Sequence, residues 1–354
     1  MSQNNNANFK SPARLIVRML KSGNKAARRA LLHESLRYAL SPLDWIFSVR
    51  EARILKSPIQ HEPLPLILIV GPPRGGTTLV YQVLARAFDV AYPSNLSAIF
   101  PRSPIYATRL FERLVRSGSG DFQSFYGKTA ELGGPNDGFH IWNRWLGPNR
   151  HISSTNITEA EVRDMQRFFH AWTSTFAKPF LNKNNRNTHC IGFLAEHLPA
   201  AFFVVVNRNP IEIARSLIRA RAEIQGNKKA RWGLQSQETH SDEEFGYVRD
   251  VCEQIIRINA AIHEQVSAID PHRVAHVDYH SLCENPMGVI AEIEGLAPTL
   301  RRSAEAGELP PSLTSSESVP LSATEESLML ELLDTYSPAH PPHLASREGE
   351  PTRF

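Results

Sequence analysis

Cysteine is scarce. Cys190, Cys252 and Cys283 stand far apart in a chain of 354 residues, with no C-x-x-C pair and an odd total. That spacing argues against a disulfide scaffold and a thiolate zinc site, and it fits a reducing cytoplasm. Long hydrophobic runs are missing as well, since none approaches the roughly 18 residues of a membrane span. The start, MSQNNNANFKSPARLIVRML, has neither an apolar signal core nor a small-residue cleavage site, so a cytoplasmic location is expected. Neither sign of charge dominates. A formal net charge of +3 is no argument for nucleic acid, and no such partner is expected.

What is present is enough for a conventional core: 42% of the residues are hydrophobic and 21% charged. The charge is unevenly spread. Residues 1–43 hold eight lysines and arginines against the single Glu34, a balance of +7. Leu15, Ile16, Met19 and Leu20 interleave with those cations at helical spacing. Two readings fit: a helix packed on the domain with a solvated basic face, or one touching an anionic membrane surface. The chain divides into a basic, mainly helical extension (1–60), a main domain (61–336) and a disordered tail (337–354).

Within the main domain, Leu66–Val70 is a continuous apolar run, the mark of a strand buried on both faces of a parallel sheet. AFFVVVN (201–207) and RVAHVDY (273–279) read as further strands, with helices between. Thr158-x-x-Glu161 and Ser241-x-x-Glu244 read as capping boxes opening two of the helices. The alternation predicts an α/β fold, a mostly parallel P-loop-like sheet flanked by helices.

The most informative stretch is LILIVGPPRGGTTLVYQVL. From Gly71 it keeps the G-x-x-x-x-G frame of a phosphate-binding loop between strand and helix. Amides in such a turn converge on an anion, and the helix dipole adds to the attraction. Where a nucleoside triphosphatase has lysine, this chain has Thr77, and its cation sits within the turn as Arg74. An acid at the end of a neighbouring strand, needed to hold Mg²⁺, is also missing: FFVVVN ends in Asn207, and Asp278 lies far along the chain. A second feature, NRNPIEIARS (207–216), sets Arg208 just past a strand and Ser216 two turns into the next helix.

Together these stretches resemble the sulfotransferase superfamily, and most nearly its bacterial, tyrosylprotein-like branch. PRGGTT (73–78) matches the family's 5′-phosphosulfate loop, and NRNPIEIARS matches its 3′-phosphate signature. FLNKNN, ahead of the second motif, is similar to the segment that brings a lysine, here Lys183, to the donor. VDYHSLCENP (277–286) is similar to a fourth motif, with His280 in place of the usual acid. The resemblance runs from about Leu64 to Leu296.

It implies transfer of a sulfuryl group from 3′-phosphoadenosine-5′-phosphosulfate (PAPS) to an acceptor hydroxyl, without a metal. Arg74, Gly75, Gly76, Thr77 and Thr78 would hold the 5′ end, Arg208 and Ser216 the 3′-phosphate, and Lys183 would face the leaving group. The base is less legible. YPSNLSAIF has no carboxylate where several branches carry glutamate, and Asn185 stands where others carry histidine. The next candidates are Asp137 and His140, then Glu131, in ELGGPNDGFH. Lys228 and Trp232, after the second motif, would border the acceptor or lie in a plain surface loop. A small-molecule P-loop kinase and an inactive nucleotide-binding protein at a membrane are the alternatives.

Overall fold

The computed structural model describes residues 25–58, 62–112, 124–125, 128–129, 131–149, 155–234, 240, 243–297, 299–304, 309–313 and 321–334. The residues before 25, the loop at 116–121, Ser241 and the tail from 337 lie outside them. In chain order the elements are α1 (Lys25–Ala39), α2 (Ser41–Lys56), β1 (Leu66–Val70), α3 (Thr77–Ala87), α4 (Asn95–Ile99) and α5 (Pro104–Leu110). A short hairpin of β2 (Ser124–Phe125) and β3 (Lys128–Thr129) follows, then α6 (Phe139–Trp142), α7 (Glu159–Phe176), β4 (Phe180–Lys183) and α8 (Ile191–His197). The rest comprises β5 (Ala201–Asn207), α9 (Pro210–Ala220), α10 (Gly246–Ser267), β6 (Val274–Asp278), α11 (Tyr279–Glu284), α12 (Pro286–Leu296) and α13 (Ala323–Asp334).

Strands β4, β1, β5 and β6 lie side by side in that order, every pair parallel. Parallel neighbours need a crossover, and the crossover helices cover both faces of the sheet. Successive residues of β1 therefore all meet protein. Leu66, Leu68 and Val70 pack with Phe168, Phe169 and Trp172 of α7 and Ile258 of α10. Ile67 and Ile69 pack with Val80, Val83 and Leu84 of α3 and Ile290 and Ile293 of α12. The unbroken apolar run is the consequence. All three cysteines are buried free thiols.

Helix α7 opens on the expected box: the Thr158 amide donates to Glu161 Oε2 (2.7 Å) and the Glu161 amide to Thr158 Oγ1 (3.3 Å). The second expected box does not open α10. That helix begins at Gly246 with Phe245 in the cap position and no side-chain cap. Helix α13, which the sequence patterns above do not anticipate, carries a box of its own. The Ser322 amide donates to Glu325 Oε2 (2.7 Å), and the Glu325 amide to Ser322 Oγ (3.3 Å).

Helix α2 is fastened by two acids. Asp44 accepts from the Arg102 amide (3.1 Å) and the Ser103 hydroxyl (2.6 Å), and Glu51 from the amides of Ile105 (3.2 Å) and Tyr106 (2.8 Å). Both carboxylates are buried, and they serve the start of α5, where no side chain of its own caps the helix. Leu43 and Phe47 pack beside them on Leu96, Ile99 and Phe100.

Candidate active site

The loop after β1 turns sharply, the Gly75 amide donating to the Pro72 carbonyl (2.9 Å). Two residues take the left-handed backbone, Arg74 at φ +67° and Gly76 at φ +93°. A Cβ on Gly76 would lie 2.1 Å from Cδ2 of Tyr279, so only glycine fits there. Gly76 caps α3 with no side-chain hydrogen bond, and the first turn has no acid. The helix dipole is thus directed to the loop. Thr77 is buried and Thr78 half-buried at that end. Behind the loop the Thr188 hydroxyl clamps Gly71, accepting from its amide (3.2 Å) and donating to its carbonyl (3.1 Å).

The fold joins the glycine-rich loop to the second motif. Arg74 Nε donates to Ser216 Oγ at 2.9 Å, and Arg208 donates to the Arg74 carbonyl at 3.1 Å. The Arg208 side chain is only 5% exposed, which excludes an ordinary surface arginine. Its Nε meets Glu212 Oε2 at 2.9 Å, and its guanidinium lies 4.2 Å from the centre of the Tyr279 ring. The Tyr279 ring therefore touches both Gly76 and Arg208. His280, in the place of the usual acid, meets the other oxygen of Glu212 (2.9 Å).

Lys183 ends β4, paired in register with Ile69 of β1, and is buried. Its Nζ reaches both oxygens of Asp137 (3.1 and 3.2 Å). The Asp137 loop is held against β4: Asn184 Nδ2 donates to the Asp137 carbonyl (2.9 Å) and Asn182 Nδ2 to the Asn136 carbonyl (3.2 Å). Trp142 Nε1 donates to Asn182 Oδ1 (2.7 Å), which locks that amide. Asp137 and His140 turn to different partners. His140 Nε2 lies 3.5 Å from Ser97 Oγ, and desolvation, aided by Arg144, pushes the imidazole down to about 3. It is neutral at any working pH. The Glu131 carbonyl accepts from Asn95 Nδ2 (2.7 Å), so its backbone braces the same loop.

Other candidates are engaged elsewhere. Lys228 Nζ meets the buried Glu325 of α13 at 2.6 Å, which ties the loop after α9 to the C-terminal helix. Asp278, at the end of β6, caps α11 by accepting from the Ser281 amide (2.8 Å). Among the described residues no three His, Cys, Asp or Glu side chains are grouped to hold a metal ion. Sequence reasoning misses Thr188, Asn184, Glu212 and Tyr279 as site residues. Glu212 had a signal, an acid four residues after Arg208 on a helix, and Tyr279 lies inside the fourth motif.

The profile described as "Sulfotransferase family" matches residues 65–296, and the chain belongs to that family of enzymes. Among solved structures, the sulfotransferase STF9 from Mycobacterium avium is similar at 15% identity and a TM-score of 0.50, over 95% of this chain and 90% of that one. The sulfotransferase STF1 from Mycobacterium tuberculosis aligns over 80% and 76% at 15% identity and a TM-score of 0.46. A sulfotransferase domain from the curacin biosynthetic pathway aligns over 77% and 98% at 14% identity and a TM-score of 0.41. No curated protein sequence matches the chain.

Proposed function

We propose that the protein transfers a sulfuryl group from PAPS to an acceptor hydroxyl and releases 3′,5′-bisphosphoadenosine. The observation that carries this reading is the joint built by Arg74, Ser216 and Arg208, which ties the glycine-rich loop to the second motif; in this reading the two are anion cradles of one site. A donor with phosphate at both ends of one nucleoside suits it, and a triphosphate in line does not. The glycine-rich turn supplies amides at the start of α3, and Gly76 lets that turn pack against the Tyr279 ring. PAPS supplies the electrophilic sulfur and a bisphosphate leaving group.

In this reading the amides of Gly75 and Gly76 and the hydroxyls of Thr77 and Thr78 grip the 5′-phosphate. Arg208 and Ser216 take the 3′-phosphate, with Glu212 and Tyr279 holding the guanidinium in place. Lys183 and Arg74 neutralise the charge that grows on the bridging oxygen, work that a metal ion does in P-loop kinases. Asp137 accepts the proton of the acceptor hydroxyl once Lys183 turns to the donor. Its carboxylate, 19% exposed beside a nearly buried ammonium, favours it over His140, whose imidazole is held on Ser97. Glu131 is the third choice.

The acceptor is a carbohydrate, lipid-linked or small-molecule hydroxyl, and within the family we place the chain near the bacterial, tyrosylprotein-like branch. Sulfate transfer from labelled PAPS to acceptor panels, including tyrosine peptides, tests both. Calorimetric titration with 3′,5′-bisphosphoadenosine and with ATP/Mg²⁺ separates this reading from a kinase. Binding of ATP alone would overturn it.

A further inference from the structure

The outward face of α2 has an unusual makeup for a surface helix. Trp45, Ile46 and Val49 are 68%, 58% and 53% exposed, at the i, i+1, i+4 spacing of a single face. Arg50, Arg53 and Lys56 are exposed along the same helix toward its C-terminal end. The helix has two acids, Asp44 and Glu51, and both are turned inward onto α5 and its preceding turn. The face left to the outside therefore bears a tryptophan, aliphatic side chains and cations, with no negative charge. On the preceding helix, Leu32 and Tyr38 are exposed too.

An apolar stripe on an otherwise secured helix marks a docking surface, and the charges beside it select the partner. A second copy of this chain would bring the same cations against themselves. So would residues 1–24 of the chain, which carry Lys10, Arg14, Arg18 and Lys21 and no acid. An anionic bilayer complements both features. Indole and aliphatic groups enter the headgroup boundary while arginine and lysine reach lipid phosphates on flexible stems. No helix of the described residues is long and apolar enough to cross a membrane, so contact from this face would lie along the surface. We infer that the exposed face of α2, through Trp45, Ile46 and Val49 with Arg50, Arg53 and Lys56, docks the protein on anionic phospholipid. The inference concerns binding alone and stands whether or not the sulfotransfer reading holds.

The test is vesicle flotation of the full chain, with phosphatidylcholine alone and with about 30% phosphatidylglycerol added. Wild type is expected to float with the anionic vesicles and to release as salt rises. A Trp45→Ser/Ile46→Ser/Val49→Ser variant should lose binding about tenfold or more. Arg50→Gln/Arg53→Gln/Lys56→Gln should weaken it and flatten the salt dependence. Should the apolar variant misfold, brominated lipid still decides. It should quench wild-type fluorescence, and Trp45→Phe should abolish the quenching. Three results would overturn the inference: no flotation of wild type, unchanged flotation of both surface variants, or a wild-type dimer that the apolar variant turns monomeric. Loss of binding only when Lys10, Arg14, Arg18 and Lys21 become Gln would likewise move the contact off this helix.

Discussion

At the scale of single residues, the site turns on which side chain carries which charge. Asp137 bonds to Lys183 and is partly open, whereas His140 is desolvated and neutral. Asp137→Asn should lower kcat by about 10²–10⁴, the usual worth of a general base, while leaving the affinity for 3′,5′-bisphosphoadenosine nearly unchanged. His140→Gln should keep kcat within about threefold, because an imidazole titrating near 3 contributes no useful base at neutral pH. A larger loss in the histidine variant would reverse the assignment. Arg208 offers a second test. Lysine keeps the charge but loses both the fork and the stacking on Tyr279. Arg208→Lys should weaken 3′,5′-bisphosphoadenosine by about tenfold in calorimetry and leave adenosine 5′-monophosphate, which lacks the second phosphate, unaffected.

Among elements, the pH dependence of α2 is the most exposed to test. Burial outweighs two amide hydrogen bonds and lifts Glu51 from 4.5 to about 7. A carboxyl with its pKa raised on folding binds more protons in the folded state than in the unfolded one between those values. Its contribution is therefore greatest below pH 4.5 and declines as pH rises to 7, by on the order of 3 kcal/mol. Urea unfolding of wild type and Glu51→Gln at pH 5 and pH 8 measures the difference. Wild type should lose more stability than the variant over that interval, and the opposite ordering would contradict a raised Glu51 pKa.

The elements also show what a sequence does and does not carry. Strands β1 and β5 are legible because burial on both faces leaves a continuous apolar run, and α7 because its cap is local. The start of α10 is not, since a Ser-x-x-Glu pattern permits a capping box but is not sufficient for one. Helix α13 escapes notice despite its own box at Ser322 and Glu325. The separate motifs of the site are legible for the same local reason. What joins them is not: Arg74 and Ser216 are 142 residues apart in sequence, and nothing in either motif names the other. The link between Lys183 and Asp137 likewise depends on the loop returning to β4, a tertiary fact.

For the whole molecule, the site lies at the carboxyl ends of β1, β4 and β5, where parallel strands deliver their following loops to one crevice. A ligand that spans two of those loops stabilises the folded state by mass action. At a hundredfold excess over its Kd, a ligand specific to the native fold adds about 2.7 kcal/mol, seen as a higher unfolding temperature. 3′,5′-Bisphosphoadenosine should produce that rise in wild type and, at the same concentration, about half of it in Arg208→Lys, whose site is about tenfold weaker.

The most direct measurement is calorimetric titration of the full chain with 3′,5′-bisphosphoadenosine, adenosine 5′-monophosphate and ATP/Mg²⁺ in parallel. The two-cradle site predicts that the bisphosphate binds tightest, that removing its 3′-phosphate costs at least about tenfold, and that ATP/Mg²⁺ binds weakest. Equal affinity for the bisphosphate and the monophosphate, or a preference for ATP/Mg²⁺, would contradict it.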